Sequence, residues 1–235
     1  MTTDVGTRQR AATSTMSGEA GAHRRAPARR LGKRLFDIAV AAVIMCALLP
    51  VFVVVSLLVV LTSRGGAIYR QERIGRGGVP FVMFKFRTMR AGCSDALHRE
   101  YVVRLLTDDT PPVGGANGMY KLEADPRVTG VGRILRRTSL DELPQLWNVL
   151  TGDMSLVGPR PALPWEAEMF SATHRERFRV PPGLTGLWQV SGRSKIAMRD
   201  GLDLDVEYVR RQSFRLDLVI LLKTVPAVIA AVGAP

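Results

Sequence analysis

From Ile38 to Leu61 the chain runs through 24 residues without one charged side chain. At about 1.5 Å per residue a helix of that length reaches about 36 Å, against about 30 Å for a hydrocarbon core. A membrane span is the default reading. Pro50 stands near the middle, where it removes a helical hydrogen bond and clashes with the preceding turn. Both flanks are basic: Arg29, Arg30, Lys33 and Arg34 before the run, and Arg64, Arg70, Arg73 and Arg76 after it. The positive-inside rule draws both flanks to the cytoplasmic face. A re-entrant helix that enters, breaks at Pro50 and returns satisfies both. A kinked span and a buried soluble helix are the alternatives.

The 235 residues carry a formal net charge of +12. That balance favours polyanions, whether nucleic acid, an anionic membrane surface or phosphorylated substrates, and does not choose among them. Cys46 and Cys93 cannot build a disulfide framework, and no His/Cys cluster has zinc spacing. His23, His98 and His174 are scattered and read as solvated or structural. Residues 1–30 are rich in Thr, Ser, Ala, Gly and Arg without apolar period, and read as a disordered basic tail rather than a secretory signal. Residues 31–64 are read as the re-entrant region, and residues 65–235 as a separate domain on the side to which the basic flanks point.

Within that domain the segment 67–89 reads as a β-hairpin turning at Gly75-Arg76-Gly77-Gly78. Period 2 in its second arm puts Val82, Phe84 and Phe86 on one face and Met83, Lys85 and Arg87 on the other. Helices are expected over 91–106, about 165–177 and about 200–212, with a loop over 107–120. Residues 216–232 are apolar but interrupted by Asp217, Lys223 and Pro226, which suits an interfacial amphipathic helix. The fold class is therefore α+β: mainly helical, with a small β-hairpin, a Pro-broken re-entrant membrane helix and interfacial helices.

The chemistry concentrates in residues 134–161. Ser139-Leu140-Asp141-Glu142 has capping-box spacing, with Asp141 as N-cap the alternative. In either case Asp141 stands at a helix N-terminus, where dipole and free N–H groups favour negative charge. Leu143, Leu146, Trp147 and Leu150 give the helix an apolar stripe that Gly152 ends. Trp147 and Trp188 are expected in the core. An isolated acidic pair of this kind usually only caps a helix. Here Arg136 and Arg137 lie just upstream, Lys85 and Arg87 project together from a strand, and Arg160 is held between two prolines. Arginine forks match phosphate oxygens, and several ordered cations around a carboxylate suit phosphoryl transfer.

These segments together resemble the bacterial sugar transferases that are monotopic polyprenyl-phosphate phosphoglycosyl transferases. The resemblance rests on Lys33-Arg34-Leu35-Phe36-Asp37, Phe84-Lys85-Phe86-Arg87-Thr88-Met89 and Ser139-Leu140-Asp141-Glu142-Leu143-Pro144-Gln145-Leu146. It continues through residues 148–161, 182–193, 203–208 and 214–217, so it covers about Gly32 to Val228. It implies transfer of a sugar 1-phosphate from a nucleoside diphosphate sugar, with uridine the expected base, to a polyprenol phosphate. It further implies a monotopic enzyme of the inner membrane with its site on the cytoplasmic face, acting in exopolysaccharide or glycoconjugate assembly. By that likeness Asp141 is the nucleophile, and Glu142 helps position metal and phosphate, with Asp141 and Glu142 the expected ligands of Mg²⁺. Arg136, Arg193 and Asp217 fall where the family places polar groups around the phosphate, and Arg160 lies beside the site. Where some relatives have Ser before the helix-breaking proline, this chain has Leu49, so no hydroxyl caps the freed backbone there. Only the basic tail precedes the re-entrant helix, as in the short catalytic form. The competing reading is a non-enzymatic basic scaffold on anionic lipid or nucleic acid. It fits the tail alone, because the other cations are dispersed and no nucleic-acid recognition motif is present. Nucleic acid is not expected as a partner, the sugar is unreadable, and a homo-oligomer stays open.

Overall fold

A computed structural model describes residues 30–63, 65–90, 92–93, 96–107, 125–192 and 196–233. The tail over 1–29, the loop over 108–120 and Arg193 lie outside the described residues.

The apolar run folds as two helices, α1 (Arg30–Ala47) and α2 (Leu49–Thr62), bent by 64°. The joint is at Leu48, two residues before Pro50, which falls in the first turn of α2. The offset has a simple cause: a proline ring excludes the helical carbonyl four residues earlier but is tolerated in a first turn, so the bend opens upstream of the ring. Among the described residues no single helix is long and apolar enough to cross a membrane.

The expected hairpin is present. β1 (Ile68–Ile74) pairs antiparallel with β2 (Pro80–Phe86), with Tyr69 opposite Lys85 and Arg70 opposite Phe84. Its turn is a 3₁₀ segment, Arg76–Gly78, in which Gly77 and Gly78 take φ of 72° and 80°, angles that glycine adopts without a Cβ clash. The inside–outside alternation of β2 is not clean. Met83 enters the main core, while Phe86, from the opposite set, is buried beneath Val55 and Val59 of α2 and Leu135. Val82, on the same face as Phe86 by period 2, is 46% exposed. Two different layers cover the two ends of one strand, which period 2 cannot anticipate.

Helix α3 spans Ala96–Thr107. Helix α4, Gly130–Thr138, was not anticipated. Thr129 caps it by accepting from the Gly132 N–H at 2.9 Å, and Gly132 lets it lie against the carbonyl of Thr88. Beyond it come a 3₁₀ turn over Leu140–Glu142 and α5, Gln145–Thr151, ended by Gly152 at φ 104°. A short parallel pair, β3 (Ser155–Val157) with β4 (Gly183–Thr185), ties the segment after α5 to the Pro-Pro-Gly segment. The helix expected over 165–177 is instead α6, Pro164–Glu168, followed by a 3₁₀ helix over His174–Arg179. The chain continues through α7 (Leu187–Val190) and α8 (Met198–Arg211) to α9 (Phe214–Gly233).

The main core joins Ala41 of α1, Met83, Leu146, Val149, Met154, Leu156, Val157, Tyr208 and Ile220. The carboxylate-bearing turn packs through Leu140 on a second cluster, Val55 and Val59 of α2 with Phe86 and Leu135. Trp188 is buried as expected, but Trp147 is 54% exposed, because α5 turns Gln145, Leu146, Asn148 and Val149 inward.

Candidate active site

No capping box forms at Ser139. The residue is left-handed, φ 58° and ψ 13°, and its side chain makes no cap hydrogen bond. It is instead the joint between α4 and the 3₁₀ turn, so Asp141 and Glu142 sit between two helices rather than at the start of one. A left-handed non-glycine residue costs about 1–2 kcal/mol, and Arg136, in the last turn of α4, stays close enough to Asp141 to feel its charge. Asp141 is 5% exposed.

Asn148 fixes β2 against this turn. It is fully buried; its Oδ1 accepts from the Phe84 N–H at 3.1 Å and its Nδ2 donates to the Val82 carbonyl at 2.8 Å. One side-chain amide thereby satisfies the outer edge of β2 as a neighbouring strand would. Lys85, one residue further along, is held with its Nζ 3.3 Å from Glu142 Oε1. Arg160 Nη1 reaches the same oxygen at 3.5 Å.

Burial pushes the Lys85 ammonium down to about 8, and Arg160 and Arg73 add to the depression against the opposing pull of Glu142 and Asp141. Arg136 is also lowered, by burial first, with the Asp141 carboxylate the largest opposing influence. Lys85, Arg136 and Arg160 thus stand around two carboxylates, which leaves one surplus positive charge for an incoming anion. Charge support for Asp141 comes from these side chains and not from the dipole of a long helix.

Arg87 and Asp217 go elsewhere, and Arg193 lies outside the described residues. Arg87 donates to the carbonyls of Gly66 at 3.0 Å and Gly65 at 2.7 Å and lies over the Tyr69 ring, so it braces the entry to β1. Asp217 belongs to a second buried polar group: Lys33 Nζ is 2.9 Å away and the Tyr208 hydroxyl donates to it at 2.7 Å. The Tyr208 oxygen also lies 3.0 Å from Val157 O, within reach of its single proton, and Ser155 donates to Asp37, so this group ties the base of α1 to β3 and α9. Arg34 extends the tie by donating to the carbonyls of Val149 and Leu150 at the end of α5.

Asn148 was missed by the sequence reading, although Asp141, Gln145 and Asn148 follow each other at i, i+4 and i+7. A polar stripe at that spacing next to a candidate nucleophile was the available signal. Arg177 carried none, while Arg73 counted only as a basic flank and Asp205 only as part of the 203–208 segment.

Among the described residues no group of three or more His, Cys, Asp or Glu could cage a metal. The donor set at the turn is two adjacent carboxylates. That fits Mg²⁺, which takes one or two carboxylates together with substrate phosphates in preference to an all-protein cage.

A small α+β unit packed on a broken apolar helix pair thus sets a carboxylate pair, Asp141 and Glu142, among the half-buried cations Lys85, Arg136 and Arg160. A family model of bacterial sugar transferases matches residues 28–231, and the chain belongs to that family. It is similar to the UDP-galactose-lipid carrier transferase of Erwinia amylovora, 44% identical over 209 residues, which cover 87% of this chain but 42% of that protein. It is also similar to the exopolysaccharide production protein ExoY of Sinorhizobium fredii, 40% identical over 216 residues, 92% of each chain. The undecaprenyl-phosphate galactose phosphotransferase of Salmonella typhimurium is 41% identical over 208 residues, 87% of this chain and 42% of that protein.

Proposed function

We propose that the protein transfers a sugar 1-phosphate from a nucleoside diphosphate sugar, a UDP-sugar foremost, to polyprenol phosphate in the membrane. The observation that carries this reading is the seat of Asp141 and Glu142 among Lys85, Arg136 and Arg160. Family membership and relatives named for UDP-galactose, lipid carrier and undecaprenyl phosphate support the substrate classes. The relative named for exopolysaccharide production supports the pathway class.

Asp141 attacks the sugar-linked phosphorus. A carboxylate–phosphorus bond forms, the bond to the nucleoside monophosphate breaks, and the monophosphate leaves with the bonding electrons. An oxygen of polyprenol phosphate then attacks the same phosphorus and the Asp141 carboxylate is released. One phosphoanhydride is consumed and one is made, so no separate energy source is needed. Lys85, Arg136 and Arg160 orient the diphosphate and offset its charge in both steps. Glu142 and Asp141 would hold Mg²⁺, which when bound neutralises diphosphate charge.

The membrane reading is a re-entrant insertion of α1 and α2 from the cytoplasmic face. It is supported by the 64° bend, by the basic flanks, and by exposed apolar side chains such as Val53, Leu57 and Leu61 on α2 and Leu222 and Val225 on α9.

The test is a single-turnover incubation of the full chain with labelled UDP-sugars and Mg²⁺ but no lipid acceptor. About one equivalent of UMP should be released and the label should stay on Asp141. Asp141→Asn should abolish both. Steady turnover by Asp141→Asn would rule out the covalent route.

A further inference from the structure

Arg160 extends from a backbone that has lost two of its own donors, because Pro159 and Pro161 have no N–H. The segment is held instead through four successive carbonyls. The Gly183 N–H donates to Pro159 O at 2.8 Å and the Ile74 N–H to Ala162 O at 2.9 Å. Between them, two buried arginines supply the middle pair: Arg177 Nη2 donates to Arg160 O at 2.7 Å, and Arg73 Nη1 to Pro161 O at 3.0 Å.

The geometry of Arg177 is informative. Its Nη2 also donates to Asp205 Oδ2 at 2.6 Å, and both side chains are buried. A pair that only neutralised charge would favour the two-pronged fork, with both carboxylate oxygens engaged. Here Arg177 Nε and Asp205 Oδ1 have no hydrogen-bond partner, while one nitrogen is shared between the carboxylate and the Arg160 carbonyl. The guanidinium lies 5.0 Å from the centre of the Phe170 ring, which limits its tilt. Asp205 is close enough to feel the charge of Arg160 as well, so it offsets the repulsion between the two guanidiniums.

We propose that Arg177, anchored by Asp205, is a positioning residue for Arg160, fixing the backbone from which Arg160 reaches Glu142 and the substrate phosphate. Arg73 serves the same backbone one residue further on. This rests on the phosphate-binding role of Arg160 given above.

The test uses the full chain in lipid nanodiscs, with Arg177→Lys, Arg160→Ala and the double variant compared by UMP release and thermal unfolding. A third readout is hydrogen exchange of the Gly183 and Ile74 amides, which donate to the carbonyls on either side of the two arginine contacts. Arg177→Lys should lower kcat/KM about 10- to 100-fold, as a misplaced binding group does, and should lower the unfolding midpoint by less than about 12 °C, the most that one unpartnered carbonyl accounts for. Added to Arg160→Ala it should lower kcat/KM no further, because the two act as one unit. The two amides should exchange faster in Arg177→Lys and at the wild-type rate in Arg160→Ala, since only the first loosens the backbone. Multiplying losses in the double variant, or amide exchange unchanged by Arg177→Lys, would overturn the proposal. If Arg177→Lys does not fold, Arg177→Gln combined with Asp205→Asn replaces the ion pair by a neutral amide pair for the same comparison. Wild-type protein that releases no nucleoside monophosphate from any sugar donor would sink the sugar-phosphate reading, while the amide exchange would still decide the brace.

Discussion

Asn148→Ala should both loosen the fold and misplace the site. The amide partners the Phe84 N–H at 3.1 Å and the Val82 carbonyl at 2.8 Å, and the side chain has no exposed surface. Alanine keeps the helix but leaves both backbone groups of β2 without a partner. Each such group costs about 1–3 kcal/mol, so the pair amounts to about 4 kcal/mol at mid-range. At about 2–4 °C per kcal/mol for a chain of this size, the unfolding midpoint should fall by about 8–16 °C. Lys85 rides on the same stretch of strand, so UMP release should fall by about 10- to 100-fold below the new midpoint. Thr151→Ala is the control, since its exposed hydroxyl bonds chiefly to carbonyls of its own helix turn and to Asp153. Thermal unfolding in detergent micelles, paired with a UMP assay at low temperature, reads both effects. A midpoint for Asn148→Ala within about 2 °C of wild type would refute the idea that this amide carries the edge of β2.

The remaining expectations concern charge and backbone. Lys85 is held to about 8, below its ordinary value, so it is charged below that pH and neutral above it. Profiles of kcat/KM against pH should therefore lose activity on the alkaline side near 8, and the limb in kcat should lie higher because bound diphosphate favours the ammonium; an alkaline limb absent below pH 10 would contradict this. Ser139→Gly relieves a left-handed strain at the cost of chain entropy, and should raise stability by about 0.5–1 kcal/mol without loss of turnover. Lower stability in a denaturant titration would show instead that the Ser139 side chain supports the turn. In Gly132→Ala the new Cβ would lie 2.1 Å from the Thr88 carbonyl oxygen. Helix α4 must then move, and the expected result is a loss of about 1–3 kcal/mol together with reduced turnover, because α4 carries Arg136.

Much of the architecture could be read from local pattern. The uncharged run with its proline implied a broken helix, and the Gly-rich turn between alternating arms implied the hairpin. Both follow from short-range rules of φ restriction and side-chain period. The grouping of Lys85, Arg136 and Arg160 with Asp141 and Glu142 was legible because those residue types cluster in two segments, 84–89 and 134–161. Assignments that depended on where a segment docks fared differently. The second arm of the hairpin lost its alternation because α2 covers Phe86 at one end of it. Trp147 lies outside because α5 spends its inner face on Gln145 and Asn148.

Arg87 and Asp217 carry the same charges that made them candidates, yet each is committed to a partner outside the Asp141 turn. Local sequence decides which backbone shapes and which chemical groups are available. Which cation meets which carboxylate depends on contacts between residues far apart in the chain: Lys85 with Glu142, Arg177 with Arg160 and Asp205, Lys33 with Asp217. Charge alone cannot choose such partners, because every arginine suits every carboxylate in an unfolded chain. The packed core chooses them, by setting which few pairs come within hydrogen-bond reach after water has been excluded.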